Sequence, residues 1–163
     1  MPDSPTDAAF ECMFLVDDAL TRYVAIHDRI FDQQATVMSI IRNLFGGGPD
    51  FTKLHAEAKS SDELWSSVEE YVAECFTAFQ SGLTPHELNF FTALIPYVKA
   101  VKRTTTLLRI RQEALLEKLN GRPLSLNEYQ RIEREYADSV ETYVRLGASL
   151  QPLTEHLFDK RAK

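Results

Sequence analysis

Apolar residues recur at three- and four-residue spacing along four stretches of the chain, at about residues 7–45, 50–81, 85–119 and 126–160. This spacing places them on one face of an α-helix. In the first stretch, for example, the face includes Phe10, Met13, Leu20, Val24 and Phe31. The pattern therefore predicts an all-α fold of four long helices, each with one buried face.

Short segments that separate these stretches combine a signal for a helix end with a signal for a helix start. Residues 46–49 read Gly-Gly-Gly-Pro, which ends the first helix. Residues 84–87 read Thr-Pro-His-Glu, which gives the third helix an N-cap hydroxyl, a proline at its first position and a capping-box glutamate. Residues 125–128, Ser-Leu-Asn-Glu, form a second predicted capping box at the start of the fourth helix.

The second stretch is less uniform than the others. Its residues 60–63 read Ser-Ser-Asp-Glu, a sequence that is suited to cap a new helix. We therefore expect a kink or a break between Ser60 and Asp62.

Helical rods of matched length joined by short loops pack antiparallel, and these rods are roughly 50–60 Å long. We predict one domain over residues 1–163, an elongated up-down-up-down four-helix bundle, with residues 1–6 and 160–163 frayed. Two alternatives stay open at this point. In the first alternative, the second helix folds back as two pieces and the bundle is shorter. In the second, helical hairpins of two chains together form the bundle.

Two prolines fall inside predicted helices, Pro96 in the third and Pro152 in the fourth. Each removes a backbone hydrogen bond and bends its helix, and in an antiparallel pair both lie at about the same level. The helices either bend around a tapering core or leave a cavity or partner groove at this end. The candidate lining residues of such a pocket are Phe10, Phe14, Phe91, Pro96, Pro152 and His156.

His27 falls on the apolar stripe of the first helix, between Val24 and Phe31, and Gln34 follows it by one heptad. We interpret His27 and Gln34 as a buried, hydrogen-bonded polar layer that fixes the register of the bundle. The alternatives for His27 are a ligand contact and a pH switch.

Charge is unevenly distributed along this chain, which has a net charge of −6. Residues 1–98 hold 5 Lys/Arg against 15 Asp/Glu, whereas residues 99–122 hold 7 against 2. The basic segment either pairs with acidic helices of its own bundle or dimer, or binds an acidic protein partner. The candidate partner-binding residues are Lys99, Lys102, Arg103, Arg109 and Arg111. One basic helix is less than the basic surface that nucleic-acid binding requires, so we do not expect that activity.

Motifs of catalysis, cofactor binding and metal binding are missing from the sequence. There is no Gly-x-Ser-x-Gly and no P-loop, and no histidine follows a glutamate by three residues, as in di-iron bundles. Cys12 and Cys75 belong to no CxxC pair, and we expect small, buried, apolar side chains at both positions. We therefore expect a protein that is not an enzyme and that has no cofactor and no metal.

The N-terminal residues are acidic, unlike a signal peptide, and no apolar run reaches about 18 residues. We expect a cytoplasmic location and no membrane association. The pattern favours a helical-bundle interaction module that forms a homodimer: an adaptor, a regulatory or secretion accessory factor, or an immunity-type binder. The alternative is a ligand-sensing bundle with an apolar pocket at the Pro96/Pro152 end.

Overall fold

The computed structural model describes residues 2–34 and 50–161, which form four α-helices and no strand. Helix α1 spans Pro5–Gln34, α2 spans Phe51–Phe79, α3 spans Pro85–Leu119 and α4 spans Leu126–Arg161. The predicted all-α fold is confirmed, and the bounds of α3 and α4 agree with the prediction to within one residue. The predicted remainder of the first helix and the Gly-Gly-Gly-Pro break lie outside the described residues.

Contacts between the helices establish the up-down-up-down arrangement. Near the end of α1, Arg29 forms an ion pair of 2.6 Å with Glu57, near the start of α2, so these helices are antiparallel. The starts of α1 and α3 meet where the Thr6 hydroxyl donates to a Glu87 carboxylate oxygen at 2.6 Å. Helix α3 is the common neighbour, because it packs against α1, α2 and α4. The predicted four-helix bundle is therefore confirmed.

Hydroxyl groups cap three of the helices. The Thr84 backbone N–H donates to Glu87 at 2.8 Å, and the Thr84 hydroxyl accepts from the Glu87 N–H, so the predicted capping box is present. The Ser125 hydroxyl accepts from the Glu128 N–H at 3.2 Å. Ser4 accepts the backbone N–H of residue 7 in the same way, so α1 begins at residue 5, within the segment that we expected to fray. At the other terminus, α4 includes residues 160 and 161.

Helix α2 is continuous from Phe51 to Phe79, so the break expected between Ser60 and Asp62 is not present. The helix is capped further upstream, where an Asp50 carboxylate oxygen accepts the N–H of residue 53 at 3.1 Å. Asp62 does not act as a cap, because its carboxylate is engaged by another helix.

That carboxylate is the centre of a cluster that joins α2 to α3. Asp62 forms ion pairs with Lys102 and, at 2.9 Å, with Arg109, and it accepts a hydrogen bond of 2.7 Å from the Thr106 hydroxyl. We call these four residues the Asp62 clamp. Burial alone would raise the pKa of Asp62, but the hydrogen bonds from Lys102, Thr106 and Arg109 outweigh burial and lower that pKa below its usual range. The carboxylate is therefore charged and fully engaged at neutral pH.

The core between the helices is aromatic as well as aliphatic. Trp65, Phe90 and Phe91 are fully buried, and so are the two free cysteines, Cys12 and Cys75, as expected from the sequence. Helices α3 and α4 continue through their interior prolines. The bends that we expect at these prolines stay predictions.

We predict that Asp62→Asn lowers the free energy of unfolding by about 1.5–3 kcal/mol, because Lys102 and Arg109 lose a charged acceptor. For a chain of this size the melting temperature should fall by roughly 3–12 °C. Thermal denaturation followed by circular dichroism measures the effect. The matched control is Glu63→Gln, which removes the neighbouring carboxylate and its exposed 3.9 Å pair with Lys59 and should change the melting temperature little. Equal melting temperatures for both variants would contradict the clamp.

Candidate functional site

Helices α1 and α4 meet through large aromatic side chains, and their backbones stay further apart than those of the other neighbouring helices. Tyr23, His27 and Phe31 of α1 face Tyr136 and Tyr143 of α4, and we call these five residues the aromatic layer. The Tyr136 hydroxyl lies 2.8 Å from the Tyr23 hydroxyl and 2.6 Å from His27 Nδ1. The Phe31 and Tyr136 rings stack with centroids 5.7 Å apart. Rings of this size fill the space between the two helices and fix their separation.

The titratable groups of the aromatic layer are held in their neutral forms. Burial raises the pKa of Tyr23, Tyr136 and Tyr143 above the usual value for a phenol. Burial also lowers the pKa of His27; the nearby Asp28 opposes this shift and Arg111 adds to it. The layer is therefore an uncharged hydrogen-bonded network at neutral pH.

The structure places the half-buried His27 among the tyrosines of the aromatic layer, and the role expected of it, fixing the register of the bundle with Gln34, stays a prediction. Its hydrogen bond is to Tyr136. The side chain of Gln34, the partner suggested by the heptad spacing, lies outside the described residues. The sequence does not single out these tyrosines, because their rings follow the apolar stripe of each helix. Their hydroxyls form a polar network only where α1 and α4 face each other.

Beyond the aromatic layer, towards the start of α1 and the end of α4, the space between the two helices opens into a groove of about 590 Å³. We call it the α1/α4 groove. Its lining is mostly apolar, and it is open to solvent. The described residues that line it are Met13, Val16, Asp17, Leu20, Tyr97, Tyr143, Val144, Gly147, Leu150, Gln151, Thr154 and Glu155.

Gly147 and Tyr97 meet within this groove. A Cβ atom added to Gly147 would lie 3.1 Å from Cε2 of Tyr97, closer than an ordinary van der Waals contact. The glycine therefore allows the Tyr97 ring to lie directly against the backbone of α4. Because position 147 contributes no side chain, the space above this contact stays open.

The edges of the groove expose apolar surface. Val144, which lines the groove, is 56% exposed, and Val24, one helical turn beyond the lining residue Leu20 on α1, is 40% exposed. Large apolar side chains that line a groove and remain accessible are typical of an interaction site.

The α1/α4 groove does not contain the residues that the sequence suggested for a pocket at the Pro96/Pro152 end. The groove lies beside the two prolines in sequence, since Tyr97 and Gln151 line it, but none of the six predicted lining residues does. Phe10 and Phe91 are buried in the core instead. The other four are solvent-exposed: Phe14, Pro96, Pro152 and His156. The signal that could have located the groove is a glycine in the middle of an amphipathic helix, Gly147.

The basic residues of α3 do not form one free surface. Lys102 and Arg109 belong to the Asp62 clamp. Arg111 is only 5% exposed; it forms an ion pair of 2.6 Å with Glu133 of α4 and lies 4.7 Å from the centre of the Phe31 ring. Only Lys99 and Arg103 of the five candidates are exposed. A partner-binding face made of all five is therefore wrong, because three of them stabilise the bundle itself.

Within residues 2–34 and 50–161, no group of three or more His, Cys, Asp and Glu side chains is placed to hold a metal ion. The rings of His86 and His156 do meet, with centroids 4.4 Å apart, at the junction of α3 and α4. In the same part of the chain, none of the helices has the length and apolar character needed to cross a bilayer.

We predict that the stability of the protein decreases as pH falls below about 6.5, the usual value for histidine. Because the folded pKa of His27 is lowered, the unfolded chain binds a proton in this window that the folded chain does not. His27→Gln should remove this part of the pH dependence, which urea denaturation between pH 7 and pH 5 measures. The control variant, His55→Gln near the start of α2, should retain it. The same loss of stability in wild type and His27→Gln would contradict the assignment.

Comparisons with known proteins add no family to this description. No protein-family model, no curated protein and no solved structure matches the chain. A functional proposal therefore depends on the geometry and chemistry of the bundle.

Proposed function

We propose that the protein is a non-enzymatic interaction module that binds a protein partner in the α1/α4 groove. The observation that carries the proposal is the open, mostly apolar groove between two helices that the aromatic layer holds apart. A contiguous accessible apolar surface of this kind costs free energy in water, and in soluble proteins it commonly marks a binding site.

The titratable groups of the groove favour binding over catalysis. Acids and bases in active sites usually have pKa values shifted towards neutral pH. Burial instead raises the pKa of Tyr97 to about 12 and raises that of Tyr143, so both phenols are held away from proton transfer at neutral pH. The other polar groups of the lining are one amide, one hydroxyl and two exposed carboxylates.

The groove replaces the basic face of α3 as the proposed docking surface. The biological settings named above, an adaptor, a regulatory or secretion accessory factor, or an immunity-type binder, all require such a surface. The homodimer and the cytoplasmic location stay predictions. An acidic partner for Lys99 and Arg103 stays a prediction too, now limited to these two exposed residues.

A ligand-sensing bundle is the second candidate, and the size of the groove favours it. Small-molecule sites usually have volumes of about 300–1,000 Å³, and the groove falls in this range. Such sites normally enclose most of the ligand, whereas this groove is open. A thermal-shift screen against apolar small molecules separates the two candidates: a sensor gains stability by mass action, and a docking module does not.

We predict that Val144→Asp abolishes capture of the protein partner from the native lysate. The substitution places a charge in the apolar groove, yet residue 144 is 56% exposed, so the melting temperature should change by less than about 2 °C. Quantitative affinity capture with wild-type and variant baits measures the effect.

Leu126→Asp provides the matched control. Leu126 is another exposed apolar residue of α4, 70% accessible, and it does not line the groove. Its replacement should leave capture unchanged. Equal capture by wild type and Val144→Asp, or equal losses in both variants, would argue against docking in the groove.

A further inference from the structure

We infer that the occupant of the α1/α4 groove is an amphipathic helix of another protein whose apolar face is flanked by lysine or arginine on both sides. This inference depends on the proposed function, since it names the chemistry of the partner that the groove would bind. Three features of the groove carry it: its charge, its dimensions and its walls.

Charge comes first. Among the described residues that line the groove, Asp17 and Glu155 are acidic and none is basic. Both are exposed, and neither forms an ion pair with another described residue. Several other carboxylates of the bundle do form such pairs, including Asp18, Asp62 and Glu133. Within the described part of the chain, the two carboxylates, one on each wall, have no cationic partner, and Glu155 accepts a hydrogen bond of 3.1 Å from the Gln151 amide.

The position of these charges indicates where a partner carries its cations. Asp17 belongs to α1 and Glu155 to α4, so the carboxylates come from opposite walls of the apolar floor. A helix that places its apolar face on this floor directs the flanks of that face at both walls. Lysine or arginine on both flanks would meet a carboxylate on each side.

The dimensions of the groove match about two to three helical turns. On α1, the lining extends from Met13 to Leu20, about 10 Å at the rise of an α-helix. On α4, it extends from Tyr143 to Glu155, about 18 Å. Apolar anchors at positions i, i+4 and i+7 of a bound helix span about 10 Å, so three anchors fit along the length of the groove.

The walls of the groove select a helix over other peptide conformations. Both walls are α-helices whose backbone groups are paired within the helix, apart from the one hydrogen bond that Pro152 removes, so an extended strand gains no ladder of main-chain hydrogen bonds here. A helix satisfies its own backbone and needs only side-chain contacts. It would pack into the open seam as a fifth helix of the bundle.

A second copy of this chain is a poor occupant. Helix α1 carries six Asp/Glu against two Arg, a net charge of −4, so self-association through this face opposes like charges. Several basic side chains that could have balanced this negative charge instead form ion pairs within the bundle, in the Asp62 clamp and with Glu133.

The test uses three synthetic 18-residue helices with the same leucine stripe at i, i+4, i+7 and i+11. Their flanking positions are all Lys, all Gln or all Glu. Fluorescence anisotropy with the full-length protein should show the Lys peptide binding about tenfold or more tightly than the Glu peptide at low salt. Val144→Asp should abolish the binding of the Lys peptide.

Two double variants separate groove charge from the overall acidity of the protein. Asp17→Asn with Glu155→Gln should remove most of the preference for the Lys peptide and leave the affinity of the Gln peptide unchanged. Glu70→Gln with Glu74→Gln makes the same charge change at exposed positions of α2 and should leave the preference intact. Equal effects of the two double variants would overturn the inference.

The remaining outcomes are equally decisive. Equal affinity for the Lys and Glu peptides, or no binding of any peptide, overturns the basic helix as occupant. So does binding of a labelled copy of the protein itself that is lost in Val144→Asp. These results leave the docking function standing, because its own test is the capture of a protein partner. Unchanged capture by Val144→Asp, or equal losses in Val144→Asp and Leu126→Asp, removes that function.

Discussion

The hydrogen bond between the Tyr23 and Tyr136 hydroxyls sets how closely α1 and α4 approach each other. Two phenol rings end to end need more space than aliphatic side chains, and His27 joins the same hydroxyl and fixes their arrangement. Elsewhere in the bundle the helix backbones pack more closely. The aromatic layer therefore keeps the first and last helices apart. Where these large rings are followed along α4 by Gly147, which has no side chain, the space between the helices forms the groove.

The other helix pairs, α1 with α2 and α3 with each of its three neighbours, pack closely and stabilise a bundle that has one open interface. Helix α3 contacts every other helix, and three of its basic residues form ion pairs within the bundle. The Asp62 clamp joins α3 to α2, and Arg111 joins it to Glu133 of α4. The uneven charge of the chain thus has a structural role on α3. Helices α1 and α2 both keep a surplus of acidic residues, and that of α1 reaches the groove at Asp17.

The sequence predicted the fold more fully than the site. Helix periodicity and the capping box at Thr84 are local signals, so the number of helices and the starts of α3 and α4 could be predicted. The unbroken α2 could not, because Asp62 is a good cap locally and only α3 supplies the cations that engage it instead. The groove depends on which residues face each other across two helices. Spacing along one helix identified His27, but not Tyr136 or the contact of Gly147 with Tyr97.

Docking in the α1/α4 groove places the partner within reach of the residues that line it. The most direct measurement is photo-crosslinking in the native lysate with benzoylphenylalanine placed at Gln151, an exposed residue of the groove. The same probe at Thr77, an exposed residue of α2 outside the groove, serves as the reference position. If the partner docks in the groove, one discrete protein adduct forms from position 151 and none forms from position 77. Adducts from position 77 alone, or equal adducts from both positions, would contradict docking in the groove.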